Sequence, residues 1–530
     1  MTRFCYDKYI LKKFFKSVLS KKALHIKIPA LALALLLLYQ FVFSGSSIFV
    51  SIRNGLASLV PPSITATTYY VNNAVGSNCN DSNNGTSPAT PWCSINKAIK
   101  TLQAGDTAYV SPGTYDIASS MGAETNYTVS GIDRVVHAVV RPQNSGTQTN
   151  PIRLIANSTA ANIIGQGNSP ATQDESNQVY VTNGMIYIDN NKNYWDIEGF
   201  YFKSGGGIAS DYNTGFTLKD SLVRVHPYND FTLAAAFDGG YMFGMHTATN
   251  ALIDHVEFWT LQREYSPINE TGCLPTGMPS SAYPGEVGRV YLSTNVTLRN
   301  SLIYANRNSI TFKDSSGILI EGNHNFFVGH TLGVADNVTN FIIRNNVQSF
   351  YSNDGTFIAA SCGTLGGPGT VNNNLYIDLS GPTIETKSAT CPQSAWSNIT
   401  LRNYLIIKPY AGSVGFTTWA PDVMVANSDY NMSIYKAQRG RTEQWWRVDD
   451  SPDVIWSLPA WKTQTQYPQL RQDPNSYFYG PAYDPGFATP LQSLGQVEGF
   501  GGDCYQMFPD VCKPGYVSNC AAAPFRMRIT

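Results

Sequence analysis

Charge is scarce in this chain: Asp, Glu, Lys and Arg make up 14% of its 530 residues, against about 25% in an average soluble protein. The two signs nearly cancel, leaving a formal net charge of -1. No basic stripe follows residue 27, so the electrostatic footprint of a nucleic-acid binder is missing and nucleic acid is excluded as a partner. Neither a CxxC pair nor a nearby histidine accompanies Cys504, Cys512 and Cys520. A structural zinc site there lacks its ligand pattern. What abounds instead is Asn, Gly, Ser, Thr and Tyr, the composition of an uncharged, polar β surface outside the cytoplasm.

The few cations are concentrated at the start. Residues 1–27 hold Arg3, Lys8, Lys12, Lys13, Lys16, Lys21, Lys22 and Lys27, and an uncharged, mostly apolar run covers 28–52. A basic flank before such a run is a membrane-targeting signal that leaves the positive end inside. The run is long enough to span a bilayer, which takes about 20 residues. Its long basic flank favours an uncleaved signal anchor over a cleaved signal peptide. Residues 53–66 then read as a linker and everything beyond as exported. Of nine cysteines only Cys5 precedes the run. The even number on the exported side suits disulfides, with Cys79 and Cys93 closing a short polar loop.

From Asn193 a pattern returns: a turn residue, an alternating apolar strand, a polar pair and a second apolar strand. NYWDIEGFYF (193–202), GFTLKDSLVRV (215–225), NALIDHVEFW (250–259), NVTLRNSLIY (295–304), GILIEGNHNFF (317–327), NFIIRNNVQSF (340–350) and NITLRNYLII (398–407) are its copies. The second member of each polar pair is Gly199, Asp220, His255, Asn300, Gly322, Asn345 or Asn403, residue types that tolerate positive φ. One left-handed residue between two strands makes a sharp bend. The spacing from Asn300 to Gly322 to Asn345, 22 and 23 residues, is one coil of a β-solenoid. A single coil cannot bury its apolar side; stacked coils supply the core.

With the entry segment at 68–115, these coils, and the closing SDYNMSIY (428–435) and YDPGF (483–487), the chain resembles the pectate-lyase-like proteins over about residues 67–487. The resemblance implies an all-β, right-handed parallel β-helix over 67–435 with three sheets per coil. It implies a helical N-terminal cap at Ser94 to Leu102, with Gly105, Asp106 and Thr107 leading into the first strand. Residues 436–530 are expected to form a loop-rich, disulfide-bonded C-terminal cap. The strand before each opening turn residue would face the groove in which such proteins bind polysaccharide. Ile253-Asp254-His255 is similar to a pectate-lyase segment but departs from it at Leu252, and no Arg-x-Pro-x-x-Arg follows. The repeat explains His255 as a bend residue, and Glu257 and His324 share one post-bend column with Leu222 and Leu302. None of these three is placed in the chemistry.

Alternation along the groove strand turns Met245, Val290 and Phe312 inward. That leaves His246, Tyr291 and Lys313 outward, each four residues before its turn, with Gly244, Arg289 and Thr311 two places earlier. Abstracting the proton beside a uronate carboxylate needs a base and a positive group for the enolate. His246, Tyr291, Lys313 and Arg289 are the candidate catalytic groups. Hydrolysis would need two carboxylates flanking the bond, and these three coils put none in the outward columns. The loops feeding the groove hold Arg263, Arg307 and His330 as candidate substrate contacts, and Asp238, Asp314 and Asp336 as candidate calcium ligands. The expectation is therefore a monomeric polysaccharide lyase or C5-epimerase acting on a uronate-containing glycan. A non-catalytic surface module binding glycan or a protein partner is the alternative, and a glycoside hydrolase the third reading.

Overall fold

A computed structural model describes most of residues 66–224, then 243–259, 286–304, 308–326, 333–335 and 337–349, and shorter stretches as far as 479. Within the unit Thr65–Thr530, successive strands stack in parallel into three ladders. The coil beginning at Thr294 is representative. Thr294–Arg299 pairs with Ser316–Glu321 of the next coil, Leu302–Tyr304 with His324–Phe326, and Asn308–Lys313 with Gly333–Ala335. Parallel neighbours joined by crossovers of one hand make a right-handed parallel β-helix.

The bends form where the residue types allowed them. Gly199, Asp220, His255, Asn300, Gly322 and Asn345 all have φ between 48° and 81°, and Asn403 lies outside the described residues. Between Asn345 and Asn403 the structure inserts a coil that the pattern does not show. Its strand Gly366–Asn372 pairs with Thr339–Arg344, and its bend is Asn373, at φ 55°. Gly369 explains the silence: a Cβ there would lie 2.4 Å from Cζ of Phe341, so the strand gives up an apolar side chain to seat that ring.

Inside, aliphatic side chains stack rung on rung: Leu298, Ile320, Ile343, Val371 and Leu401 follow one another in register and are fully buried. Each contributes about 1.5–3 kcal/mol by leaving water. At the corner just past the bend the core turns polar. Asn323, Asn346 and Asn374 lie buried one above another. Asn346 Oδ1 accepts from the Asn323 backbone N–H (2.9 Å) and Nδ2 (3.0 Å), and Asn346 repeats the pattern on Asn374. Outside, one column reads Lys219, Asp254, Arg299, Glu321, Arg344 on successive coils, with ion pairs of 2.7 Å from Arg299 to Asp254 and from Arg344 to Glu321. The arginines are about 40% exposed, so each pair adds only about 0.2–1 kcal/mol.

The first coil of the solenoid is covered. Helix Ile95–Thr101, capped by Ser94 Oγ on the Lys97 N–H at 3.1 Å, buries Ile95, Ala98 and Ile99 against the first coil. Strand Thr68–Val71 precedes it and pairs with Thr107–Val110, so the strand after Gly105-Asp106 is the second, and the entry segment itself supplies the first. A disulfide joins Cys79 to Cys93 in the loop between them. It closes a 14-residue interval, which corresponds to about 3 kcal/mol by chain entropy. Cys93→Ser is expected to lower the thermal midpoint and open residues 72–94 to protease; an unchanged digestion pattern would show that the loop does not need the bridge.

At the other end the ladders pass Tyr435. Trp446–Val448 adds in parallel to Phe416–Thr418, and Tyr477–Tyr479 to Met432–Tyr435. Helix Leu458–Thr463 sends Leu458 and Trp461 into the main core. The terminal cysteines and residues 1–65, including the apolar run, lie outside the described residues. Among the described residues no helix is long and apolar enough to cross a membrane.

Candidate functional site

One ladder carries the expected groove residues. Its strands Gly184–Ile188, Gly206–Asp211, Phe243–His246, Glu286–Tyr291, Asn308–Lys313 and Gly333–Ala335 pair in parallel and in register. Met245, Val290 and Phe312 are fully buried inward. His246, Tyr291 and Lys313 therefore stand side by side on successive coils, one outward rung each, about 4.8 Å apart. Arg289 lies two residues back on the Tyr291 strand, between Gly244 and Thr311. The structure thus brings together all four residues read as candidates. Arg263, Arg307, His330, Asp238 and Asp336 lie outside the described residues.

The same column begins one coil earlier, with a residue the sequence reading passed over. Asp211 pairs with His246 in register, and its Oδ1 lies 2.9 Å from His246 Nδ1. Oδ2 accepts from the Tyr187 hydroxyl at 2.8 Å. The Asp211 side chain is 3% exposed, that of His246 15%. A buried carboxylate on Nδ1 selects the tautomer with the proton there, which leaves Nε2 as the unprotonated ring nitrogen. Thr247 Oγ1 also reaches Nδ1, at 3.1 Å. The His246 ring packs 5.3 Å from that of Tyr291 and edge-on to Tyr212 at 5.5 Å. Asp211 stands four residues before Gly215, as His246 stands four before Asn250, so the count that found the others would have found it.

Asp189 occupies the equivalent place another coil earlier, directly after Ile188, the partner of Ser210. Arg141 Nη1 donates to its Oδ2 at 2.9 Å. Burial holds the Asp189 carboxyl above its ordinary range, with Arg141 opposing. Hydrolysis by a carboxylate pair needs both groups turned to the substrate. Asp189 and Asp211 share a column, but they are 5% and 3% exposed and already engaged.

The carboxylate of Asp314 accepts from Asn337 Nδ2 at 2.5 Å, and among the described residues no three His, Cys, Asp or Glu side chains cluster as a metal site. His255 is the bend residue its column predicts, at φ 55°, and its Nδ1 meets Asp220 at 2.5 Å. Glu257 is buried against Arg224 at 2.6 Å on another face, and desolvation pushes His324 down to about 3.

The residue following each column member is left-handed: Tyr212 at φ 46°, Thr247 at 52°, Leu292 at 50° and Asp314 at 46°. Asp tolerates this conformation; Tyr, Thr and Leu do so at a cost of about 1–3 kcal/mol each. Tyr212 and Leu292 are also 49% and 46% exposed, so packing does not demand them. Tyr212→Gly is expected to leave the thermal midpoint unchanged or raised despite the lost ring. A fall of several degrees would show that the ring stabilises the bend.

No family model matches the chain, and no curated protein matches it. Solved structures do share its course. A lacto-N-biosidase from Eubacterium ramulus is 12% identical, with 78% of this chain and 67% of that one covered and a TM-score of 0.42. A rhamnogalacturonan lyase is 15% identical over 80% and 98%, with a TM-score of 0.35. The A-module of a mannuronan C-5 epimerase from Azotobacter vinelandii is 11% identical over 71% and 90%, also at 0.35. The strand ladders of the chain itself make it a right-handed parallel β-helix protein.

Proposed function

We propose that the protein is an extracytoplasmic polysaccharide lyase or C5-epimerase that acts on a uronate-containing glycan. The observation that carries this reading is the column Asp211, His246, Tyr291, Lys313, with Arg289 beside it. It sets a base oriented by a buried carboxylate next to a hydroxyl donor and two cations. His246 Nε2 takes the proton from the carbon beside the uronate carboxylate. Lys313 and Arg289 face the charge that builds on that carboxylate as the enolate forms. If the Tyr291 hydroxyl then protonates the departing glycosidic oxygen, the C–O bond breaks and a carbon–carbon double bond remains. If a proton returns to the opposite face of the same carbon, the sugar is epimerised and no bond in the chain is lost. The Cys79–Cys93 disulfide supports an oxidising compartment, and the basic flank and apolar run of residues 1–52 support export with an anchor. Calcium held by Asp238, Asp314 and Asp336 stays part of the proposal as a neutraliser of the substrate carboxylate, and no step depends on it.

Residues 67–530 incubated with alginate, pectate and glycosaminoglycans, with and without calcium, are expected to give either ultraviolet absorbance from the new double bond or an altered uronate ratio by NMR. Neither change on any glycan overturns the reading.

A further inference from the structure

The groove is not open along its whole length. Strand Glu124–Val129 runs antiparallel to Arg134–Val140 as a hairpin, and only Val139 and Val140 of that hairpin pair with the first long groove strand. The rest leaves the plane of the sheet. Val129 and Val136 join Val139, Met185, Tyr187 and Ala209 in one buried cluster, with Tyr127 packed on it. Met185, Tyr187 and Ala209 are outward groove positions on two successive strands. Tyr127 is aligned with Val136 across the hairpin, three residues before the Val139–Met185 pair, yet its ring lies 5.8 Å from that of Tyr187 and its hydroxyl 3.4 Å from Asp189 Oδ2, so the hairpin turns back along the sheet. It folds over the groove floor.

Polar contacts fix this roof in place. Arg141 donates from Nε and Nη2 to the two oxygens of Glu124 at 3.0 and 2.6 Å, and from Nη1 to Asp189 at 2.9 Å. Its guanidinium lies 4.4 Å from the Tyr127 ring centre. The Tyr127 hydroxyl reaches Asp189 Oδ2 at 3.4 Å, and its ring sits 5.8 Å from that of Tyr187. At the hairpin's start, Lys100 Nζ donates to the Gly122 carbonyl. The contacts of the roof reach Tyr187 and Asp189, and Asp211 lies beneath Tyr187, whose hydroxyl donates to it. His246, on the next rung, is the first member of the column with appreciable exposure.

Resting on the function proposed above, we infer that the groove is blind at this end and that the protein engages the terminus of a glycan chain. It acts one or two sugar units from that terminus and releases short product. The sign of the charges along the groove gives the orientation. Glu124, Asp189 and Asp211 lie at the wall, and Lys313 and Arg289 lie beyond His246. The acidic units of the chain therefore extend toward the cations, away from the wall.

The test uses the full chain and a polymeric uronan, intact or cut beforehand into tenfold shorter pieces. At sub-saturating substrate the rate follows the concentration of reactive sites, so action at chain ends gives about a tenfold higher initial rate from the same mass of shortened polymer. The product is a single short species from the earliest time point, while the length of the remaining polymer barely falls. Rates independent of chain number, with an early fall in viscosity and a spread of long products, overturn the blind end and leave the lyase reading intact. A variant with residues 125–138 replaced by a short Gly-Ser link is expected to shift products toward long fragments. If it does not fold, His246→Ala provides the second measurement: its affinity is expected to track chain ends, and affinity tracking mass overturns the inference. If no glycan is bound or converted, both this inference and the reading beneath it are overturned.

Discussion

His246→Ala is expected to lower kcat by about 10²- to 10⁴-fold, the range a positioned general base supplies, while oligosaccharide binding changes little. His246 stands in the outward groove column, is partly exposed and carries a buried carboxylate on Nδ1. The companion variant Asp211→Asn separates positioning from chemistry. An amide can offer Nδ2 to His246 Nδ1, turning the ring toward the tautomer whose Nε2 already carries a proton. Asp211→Asn is therefore expected to cost kcat with KM nearly constant. The fold is expected to persist, because Tyr187 can still donate to the amide oxygen. Equal losses in KM and kcat, or a His246→Ala enzyme with more than a tenth of normal turnover, would remove His246 from the role of base.

The second large effect is on stability. Asn346→Ala is expected to destabilise the middle coils by about 3–6 kcal/mol. The substitution takes the partner at 2.9 Å from the Asn323 backbone N–H, the one at 3.0 Å from one N–H of Asn323 Nδ2, whose other N–H stays on the Leu298 carbonyl, and the one at 3.1 Å from the Ile320 carbonyl. Each buried group left unpaired costs about 1–3 kcal/mol. Urea unfolding followed by hydrogen exchange across residues 298–374 is the measurement. Loss confined to these coils, with the end coils still protected, is the expected signature of a stack held by nearest neighbours. A shift under 1 kcal/mol would mean that water or a repacked side chain replaces the ladder.

Much of this molecule was legible before its structure, for a physical reason. A coil repeats its backbone demands, so the left-handed residues at Asp220, His255 and Asn300 announce themselves by type, and alternation fixes which neighbours face out. That is why His246, Tyr291 and Lys313 were found from a count of four. Asp211 obeyed the same count, and only the choice of three coils left it out. The coil at Asn373 was hidden because Gly369 gives up its side chain to Phe341. The roofing hairpin was beyond reach for a different reason. Residues 124–140 carry no repeat, and what they cover, Tyr187 and Ala209, lies far along the chain. Only the folded path shows that the groove has a wall.

The outward column Lys219, Asp254, Arg299, Glu321, Arg344 adds little to stability, yet it bears on how such a chain avoids error. Near-identical coils can assemble with one skipped, since each strand fits its next-but-one neighbour almost as well as its own. A single skip would set Asp254 against Glu321, or Arg299 against Arg344, like sign on like sign. Facing like charges disfavour a strand pair. Alternation of sign therefore works as a parity check during assembly: an odd slip is penalised at every rung it touches, while an even slip passes this check and falls to the shapes of the core to reject.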